Sequence, residues 1–157
     1  MSDTLTGGCQ CGACRFVVTG PLGRASICHC RMCQRAFGGP FGPLATASGL
    51  AWTRGAPTYF RSSNRVRRGF CSACGTPLTF EPDLGPPEVA IGALDDPTAA
   101  VPVIQHSVET RLAWVVEIGG LPTRNAEETA KLAPYFASIR SRQHPDHDTS
   151  VWPVGGA

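Results

Sequence analysis

The sequence predicts a mainly β fold of small antiparallel sheets with one short helix near the carboxy terminus. The 18 Gly and 14 Pro are spread along 157 residues, so stretches free of turn-formers stay short, as strands joined by turns require. Several of those stretches alternate apolar and polar residues, which sends one face to a core and the other to water. Seven of the eight cysteines fall into three tight groups, and a small domain gains from cross-links of that kind.

In chain order, the candidate strands are 15–19, 43–46, 58–60, 66–70, 78–80, 88–91, 103–106 and 113–118. In the first, Phe16 and Val18 share a face with the preceding Cys14. In the last, alternation puts Trp114 and Val116 together, facing a core or cleft. The helix is expected over 125–142. Asn125 followed by Glu128 resembles a capping box, Leu132, Phe136 and Ile139 recur at near-helical spacing, and Arg140 and Arg142 sit where the helix dipole favours cations. Pro134 should kink or split it, and the amphipathic face should close the fold. The expectation is one domain over 1–142 and a flexible tail over 143–157, whose His144, Asp146, His147 and Asp148 are metal-compatible but too costly to order into a site.

Net charge is +2 and pI is near 8.2, too mild to point to nucleic acid. The local excess of Arg61, Arg65, Arg67 and Arg68 reads as a strand edge blunted against aggregation, or as a cradle for carboxylates. The amino terminus has neither a basic nor an apolar leader region, and no apolar run approaches the roughly 20 residues that cross a bilayer. The expected setting is the cytoplasm, with no membrane partner. Thiols stay reduced there, so clustered cysteines point to metal or redox chemistry rather than to disulfides.

The clusters are Cys9-x-Cys11, Cys28-x-Cys30-x-x-Cys33 and Cys71-x-x-Cys74. Thiolates this close converge on one ion at about 2.3 Å more readily than on each other. Zinc is favoured over iron–sulfur ligation, whose four-cysteine spacings differ. One partition puts Cys9, Cys11, Cys71 and Cys74 on one zinc, leaving Cys28, Cys30 and Cys33 as a triad with an open position. The other exploits the echo Cys9-x-Cys11-x-x-Cys14, making two triads that each take one member of the Cys71/Cys74 pair. The knuckle Cys71-Ser72-Ala73-Cys74-Gly75 curls both sulfurs toward a single ion, which favours the first. Cys14 then reads as a buried small hydrophobe.

Taken together, Gly8-Cys9-Gln10-Cys11-Gly12, Cys28-His29-Cys30-Arg31-Met32-Cys33-Gln34-Arg35 with Gly38-Gly39, and Phe70-Cys71-Ser72-Ala73-Cys74-Gly75-Thr76-Pro77-Leu78 resemble the glutathione-dependent formaldehyde-activating enzyme family, which includes centromere protein V. The resemblance extends to His106, Trp114 and Gly120-Leu121-Pro122. It implies a zinc-containing β-tent of small antiparallel sheets, with two zinc ions per chain. Cys9, Cys11, Cys71 and Cys74 would hold the structural one, and Cys28, Cys30 and Cys33 the catalytic one. The sequence departs from the family at Cys14, usually an aliphatic residue.

The implied activity is that of a carbon–sulfur lyase acting on S-hydroxymethylglutathione, or in reverse on glutathione and formaldehyde. The partners would be a small-molecule thiol and aldehyde; oligomeric state is left open, a homo-oligomer included. Three thiolates leave a zinc group at −1, a weak Lewis acid suited to capturing and positioning sulfur. Arg31 and Arg35 flank the triad and could offset its charge, while His29 could shuttle protons. His106 and Trp114 read as cleft or core residues. The rival is a noncatalytic zinc scaffold or redox-sensing interaction protein, for which both sites would be closed.

Overall fold

The computed structural model describes residues 4–153. Among them are ten strands in two sheets. Strands β1 (Thr4–Gly8), β2 (Arg15–Thr19) and β5 (Leu50–Arg54) form a three-stranded antiparallel sheet in the order β1-β2-β5. The second sheet contains β3 (Ala25–Cys28), β4 (Gly42–Thr46), β6 (Thr58–Arg61), β7 (Val66–Phe70), β8 (Pro77–Pro82), β9 (Glu88–Ala90) and β10 (Ile104–His106). Its order is β10-β3-β4-β9-β8-β7-β6, antiparallel except for the β10–β3 pair. Helix α1 (Arg31–Phe37) follows β3, and α2 (Ala126–Ser138) comes late in the chain. Neither these nor any other helix among the described residues is long and apolar enough to cross a membrane.

The contacts divide the chain into two units: residues 112–142, and everything else. The larger unit has a core of Phe16, Val18, Leu78 and Val89, all fully shielded from solvent, filled out by small residues such as Ala25, Ala45, Ala47, Ala90 and Ala93. The Phe16 ring meets Trp52 edge-on at 5.7 Å. A fully buried large apolar side chain contributes about 1.5–3 kcal/mol, and alanines contribute far less, so this core leaves room for cross-links to matter.

The smaller unit departs from expectation. Residues 113–118 are not a strand but part of a run of 3-10 turns, Ala113–Gly120, with bonds such as Val115 N–H to the Leu112 carbonyl, 3.0 Å. Alternation makes a strand only where a partner and a buried face exist, and here Trp114 and Val116 are both exposed. The α2 capping box is present: the Glu128 N–H donates to Asn125 Oδ1 (2.9 Å) and the Asn125 N–H to Glu128 Oε2 (3.1 Å). Pro134 lies inside the helix without splitting it, at the cost of one donor. Arg140 and Arg142 fall beyond its end, and no α2 residue is buried: of the apolar face expected to close the fold, Phe136 and Ile139 are exposed and Leu132 is half-buried. The sequence also missed β1, β3, β5 and α1, each of seven residues or fewer.

Residues 143–153, expected to be loose, make specific contacts within the larger unit; 154–157 of the expected tail lie outside the described residues. The His144 N–H donates to the Gln10 carbonyl at 2.8 Å, and Trp152 Nε1 to the Cys11 carbonyl at 2.7 Å. Arg54 Nη1 reaches the Gly12 carbonyl and His144 Nε2, both at 3.3 Å, and Nη2 reaches the Thr149 carbonyl. Gly12 is needed twice over: its φ is +79°, and a Cβ there would stand 2.2 Å from the His144 ring. Arg15, 2 % exposed, bridges Asp95 (2.8 and 2.5 Å) and Asp148 (2.9 Å). A buried guanidinium demands such partners, which is why a polar tail is recruited.

Burial opposes ionisation of Asp95, but the Arg15 guanidinium and the Thr6 hydroxyl outweigh it and hold the carboxyl below its usual range. A depressed folded value means that the pair's stabilisation is complete above the unfolded pKa, roughly 4, and is lost as pH falls through the folded value. Asp95→Asn should therefore lower stability by roughly 3 kcal/mol at pH 7 and flatten the acid limb of stability against pH in urea denaturation. Asp148→Asn should cost less, because the Asp148 side chain is 49 % exposed and that of Asp95 only 12 %.

Candidate functional site

Two turns bring the first thiol cluster together. Between β1 and β2, the Cys9 N–H donates to the Cys14 carbonyl (2.9 Å) and the Gly12 N–H to the Cys9 carbonyl (3.0 Å), folding Cys9 and Cys11 inward. Between β7 and β8, the Gly75 N–H returns to the Cys71 carbonyl at 2.8 Å, with Gly75 at φ +78°. The sulfurs of Cys9, Cys11, Cys71 and Cys74 all lie within 4.8 Å of one another. Cys9–Cys11 is 3.6 Å and Cys11–Cys71 is 3.9 Å. A tetrahedron of sulfurs with metal bonds of about 2.3 Å has edges of about 3.8 Å, so the spacing fits a four-thiolate ion. All eight cysteines are free of disulfides.

Protonation within this cluster is uneven in the ion-free protein. Burial pushes the Cys11 thiol up to about 12 and raises Cys71. Burial also opposes the Cys74 thiolate, but the Thr76 hydroxyl, 3.1 Å from its sulfur, and nearby backbone N–H groups overcome it and bring Cys74 down to about 6. Cys14 is not in the group. Its sulfur donates to the Ala56 carbonyl at 3.3 Å, the residue is 4 % exposed, and burial, reinforced by Cys71 and Cys9, lifts its thiol to about 12. The grouping is that of the first partition, with Cys14 in phase with Phe16 and Val18.

The second cluster is built where β3 runs into α1. Cys28 ends the strand, Cys30 is the N-cap of α1, and Cys33 lies in its first turn, with the Cys33 N–H 3.4 Å from Cys30 Sγ. Their three sulfurs also lie within 4.8 Å of one another, and among the described residues no fourth His, Cys, Asp or Glu joins them. Burial works against the Cys30 thiolate, yet the N–H groups of Cys33 and Met32 and the adjoining thiols bring Cys30 below its ordinary value. Burial lifts Cys33 to about 12, with the Arg68 guanidinium pulling the other way.

His29, offered by the sequence as a proton shuttle, is turned into the protein. It is 1 % exposed, its Nε2 bonds Gln105 Oε1 of β10 at 2.8 Å, and its ring meets Phe41 edge-on at 5.8 Å. Flanking residues on an extended segment point opposite ways, so Cys28 and Cys30 converge while His29 anchors the loop. Its N–H reaches the His106 carbonyl at 2.9 Å, and its carbonyl accepts from Gln34 Nε2 and Thr110 Oγ1, each at 2.9 Å. The His106 side chain is exposed, so its observed contribution is through the backbone. Arg31 and Arg35 are exposed on α1, Arg31 bonding Gln34 Oε1 at 3.1 Å.

The arginine run from the end of β6 into β7 splits by what each side chain meets. Arg65 pairs with Asp83 (2.7 Å) and Arg67 with Glu81 (2.6 Å), Arg67 also lying over Tyr59 at 4.0 Å, while Arg61 reaches the Asn64 carbonyl. Arg68 alone of these is buried, at 8 % exposure. Its Nη2 donates to Cys33 Sγ at 3.4 Å and its Nε to Ser62 Oγ at 3.1 Å, with the guanidinium 4.9 Å over Phe80. Sequence reasoning found the run but did not separate Arg68 from it; the alternation Arg67 out, Arg68 in was the available signal.

Two cavities adjoin these clusters. One, about 400 Å³, lies beside the four-cysteine group and is bounded by Cys74, Thr76, Arg15 and His144. The other, about 370 Å³, is walled by Ala36, Phe37, Phe60, Phe70 and Pro77, with Arg68 as its charged member. The second reaches the three-cysteine group through Arg68 and through Phe37, whose ring lies with Cys33 Cβ against Gly42.

The fold and its paired thiol clusters define a mainly β protein equipped to hold two metal ions. A family model described as glutathione-dependent formaldehyde-activating enzyme matches residues 4–110, and the chain belongs to that family. The match ends where the larger unit pauses at Arg111, so Trp114 and Gly120-Leu121-Pro122, counted in the resemblance, fall outside it. Among solved structures, a protein of Rhodobacter sphaeroides is similar at 25% identity and a TM-score of 0.50, over 64% of this chain and 98% of that one.

Cys71→Ser should remove one of four converging thiols and give unfolded or aggregated protein, seen as loss of a cooperative melt and, if the cluster holds a metal, as lost metal content. Arg68→Met should weaken metal binding at the three-cysteine cluster by roughly 10- to 100-fold in a chelator competition, leaving the four-cysteine cluster loaded. Arg68→Lys should restore it only in part, since a single ammonium does not reproduce the two-pronged grip on Cys33 and Ser62.

Proposed function

We propose that this chain is a zinc-dependent carbon–sulfur lyase that interconverts S-hydroxymethylglutathione with glutathione and formaldehyde. In this reading Cys9, Cys11, Cys71 and Cys74 hold a structural zinc, and Cys28, Cys30 and Cys33 a catalytic one. The observation that carries it is the unequal donor count: four convergent thiols in one cluster, and three in the other with no further ligand among the described residues. Family membership supports glutathione and formaldehyde as the reactants.

A zinc bound by three thiolates would supply an open position that favours a thiolate over a thiol. The chain's own residues do the rest. Arg68 carries one positive charge against Cys33, offsetting the net −1 of three thiolates on a divalent ion. Arg31 and Arg35, both exposed on α1, offer guanidinium groups to the carboxylates of glutathione. The side chains of Gln34 and Thr110 donate to the His29 carbonyl and hold the Cys28–Cys30 loop, so that the thiols are placed before substrate arrives. In the synthetic direction the sulfur–carbon bond forms as the carbonyl π bond opens, and the thiol proton ends on the new hydroxyl.

Formaldehyde–glutathione exchange, followed by NMR, tests this with the full chain loaded with zinc. Wild type should accelerate exchange, and Cys30→Ser should fall to the uncatalysed rate. Equal exchange in the two proteins would leave a noncatalytic zinc scaffold as the better account.

A further inference from the structure

Formaldehyde carries one carbon, and the cavity that Arg68 and Phe37 connect to the three-cysteine cluster is about 370 Å³, a size that suits a much larger group. Its walls are mostly apolar: three phenylalanines from three different elements, Phe37 of α1, Phe60 of β6 and Phe70 of β7, together with Ala36 and Pro77, with Thr79 and Arg68 as the polar members. Its cation, Arg68, is already engaged by Cys33 and Ser62, and Arg65 and Arg67 are spent on Asp83 and Glu81. Arg68 is thus turned toward Cys33 and Ser62, and the rest of the wall has no charged side chain to meet a carboxylate. An uncharged hydrocarbon group would gain by leaving water.

We infer that this cavity is a subsite for an apolar substituent on the aldehyde carbon, so that the site accepts adducts of a thiol with alkyl or aromatic aldehydes in addition to the formaldehyde adduct. The inference rests on the proposed lyase function and extends its substrate class. The division of labour is spatial. The thiol's carboxylates meet Arg31 and Arg35 outside, on exposed α1, while the aldehyde's substituent enters among the phenylalanines on the Cys33 side. The chemistry is unchanged and balanced: R–SH adds to R′–CHO, one S–C bond forms, the C=O π bond is lost, and the thiol proton moves to oxygen.

Stable thioethers read this subsite without turnover. Affinities of S-hexylglutathione and S-methylglutathione for zinc-loaded full-length protein are measured by calorimetry, in wild type, in Ala36→Trp, which fills the cavity, and in Phe60→Ser, on the exposed edge strand. The hexyl conjugate should bind at least about tenfold tighter than the methyl conjugate, since several methylenes leave water. Ala36→Trp should erase that gain and Phe60→Ser reduce it, with zinc content unchanged. Equal affinities in wild type, with the methyl conjugate bound, would overturn the subsite alone. Failure of both conjugates to bind would overturn the subsite and the glutathione reading together. A hexyl gain that survives in both variants would place the chain elsewhere and also overturn the assignment.

Discussion

The convergence of Cys9 and Cys11 with Cys71 and Cys74 is the constraint on which the rest depends. It pins the β1–β2 turn to the β7–β8 turn, and so one sheet to the other across some sixty residues of chain. The core between them is filled largely by alanines and cysteines around a few large side chains such as Phe16 and Leu78. Alanines gain little by leaving water, so a metal ion held by those four thiols would supply what packing does not. The same turns fix β7, and β7 is what delivers Arg68 to the second cluster.

The two clusters differ in what surrounds them as much as in ligand number. The first is wrapped by backbone and by residues 143–153, and its sulfurs answer to local amides and to Thr76. The second meets a buried guanidinium and, beyond it, an apolar hollow. Were three thiolates to hold a divalent ion there, the cation set against Cys33 would bring the ensemble to neutrality and let it stand beside phenylalanines without a large desolvation penalty. The arrangement thus joins sulfur chemistry to a hydrophobic surface.

How much of this could be read in the sequence depended on whether local pattern or distant partners decided the outcome. The spans of β2 and β7 are those expected, because turn-formers bound them: Gly20-Pro21 follows β2 and Ser62-Ser63-Asn64 precedes β7. The cysteine grouping was legible for a similar reason: short spacings restrict where sulfurs can point. Residues 113–118 read as a strand just as well, yet form 3-10 turns, and no strand among the described residues pairs with them. Arg15, Arg68 and His29 were opaque for the opposite reason. Their placement is set by Asp95 and Asp148, by Cys33 and Ser62, and by Gln105, all contributed by other segments of the chain.

The guanidinium of Arg15 leaves the larger unit discontinuous in an informative way. One of its carboxylates, Asp95, comes from the continuous stretch before Arg111; the other, Asp148, arrives after the intervening 112–142 unit. During synthesis the strands can pair, and both thiol clusters can assemble, while Arg15 still lacks its second counter-ion. Completion of this β unit is thereby tied to the emergence of residues 143–153 from the ribosome, a segment that acts as a latch rather than an appendage.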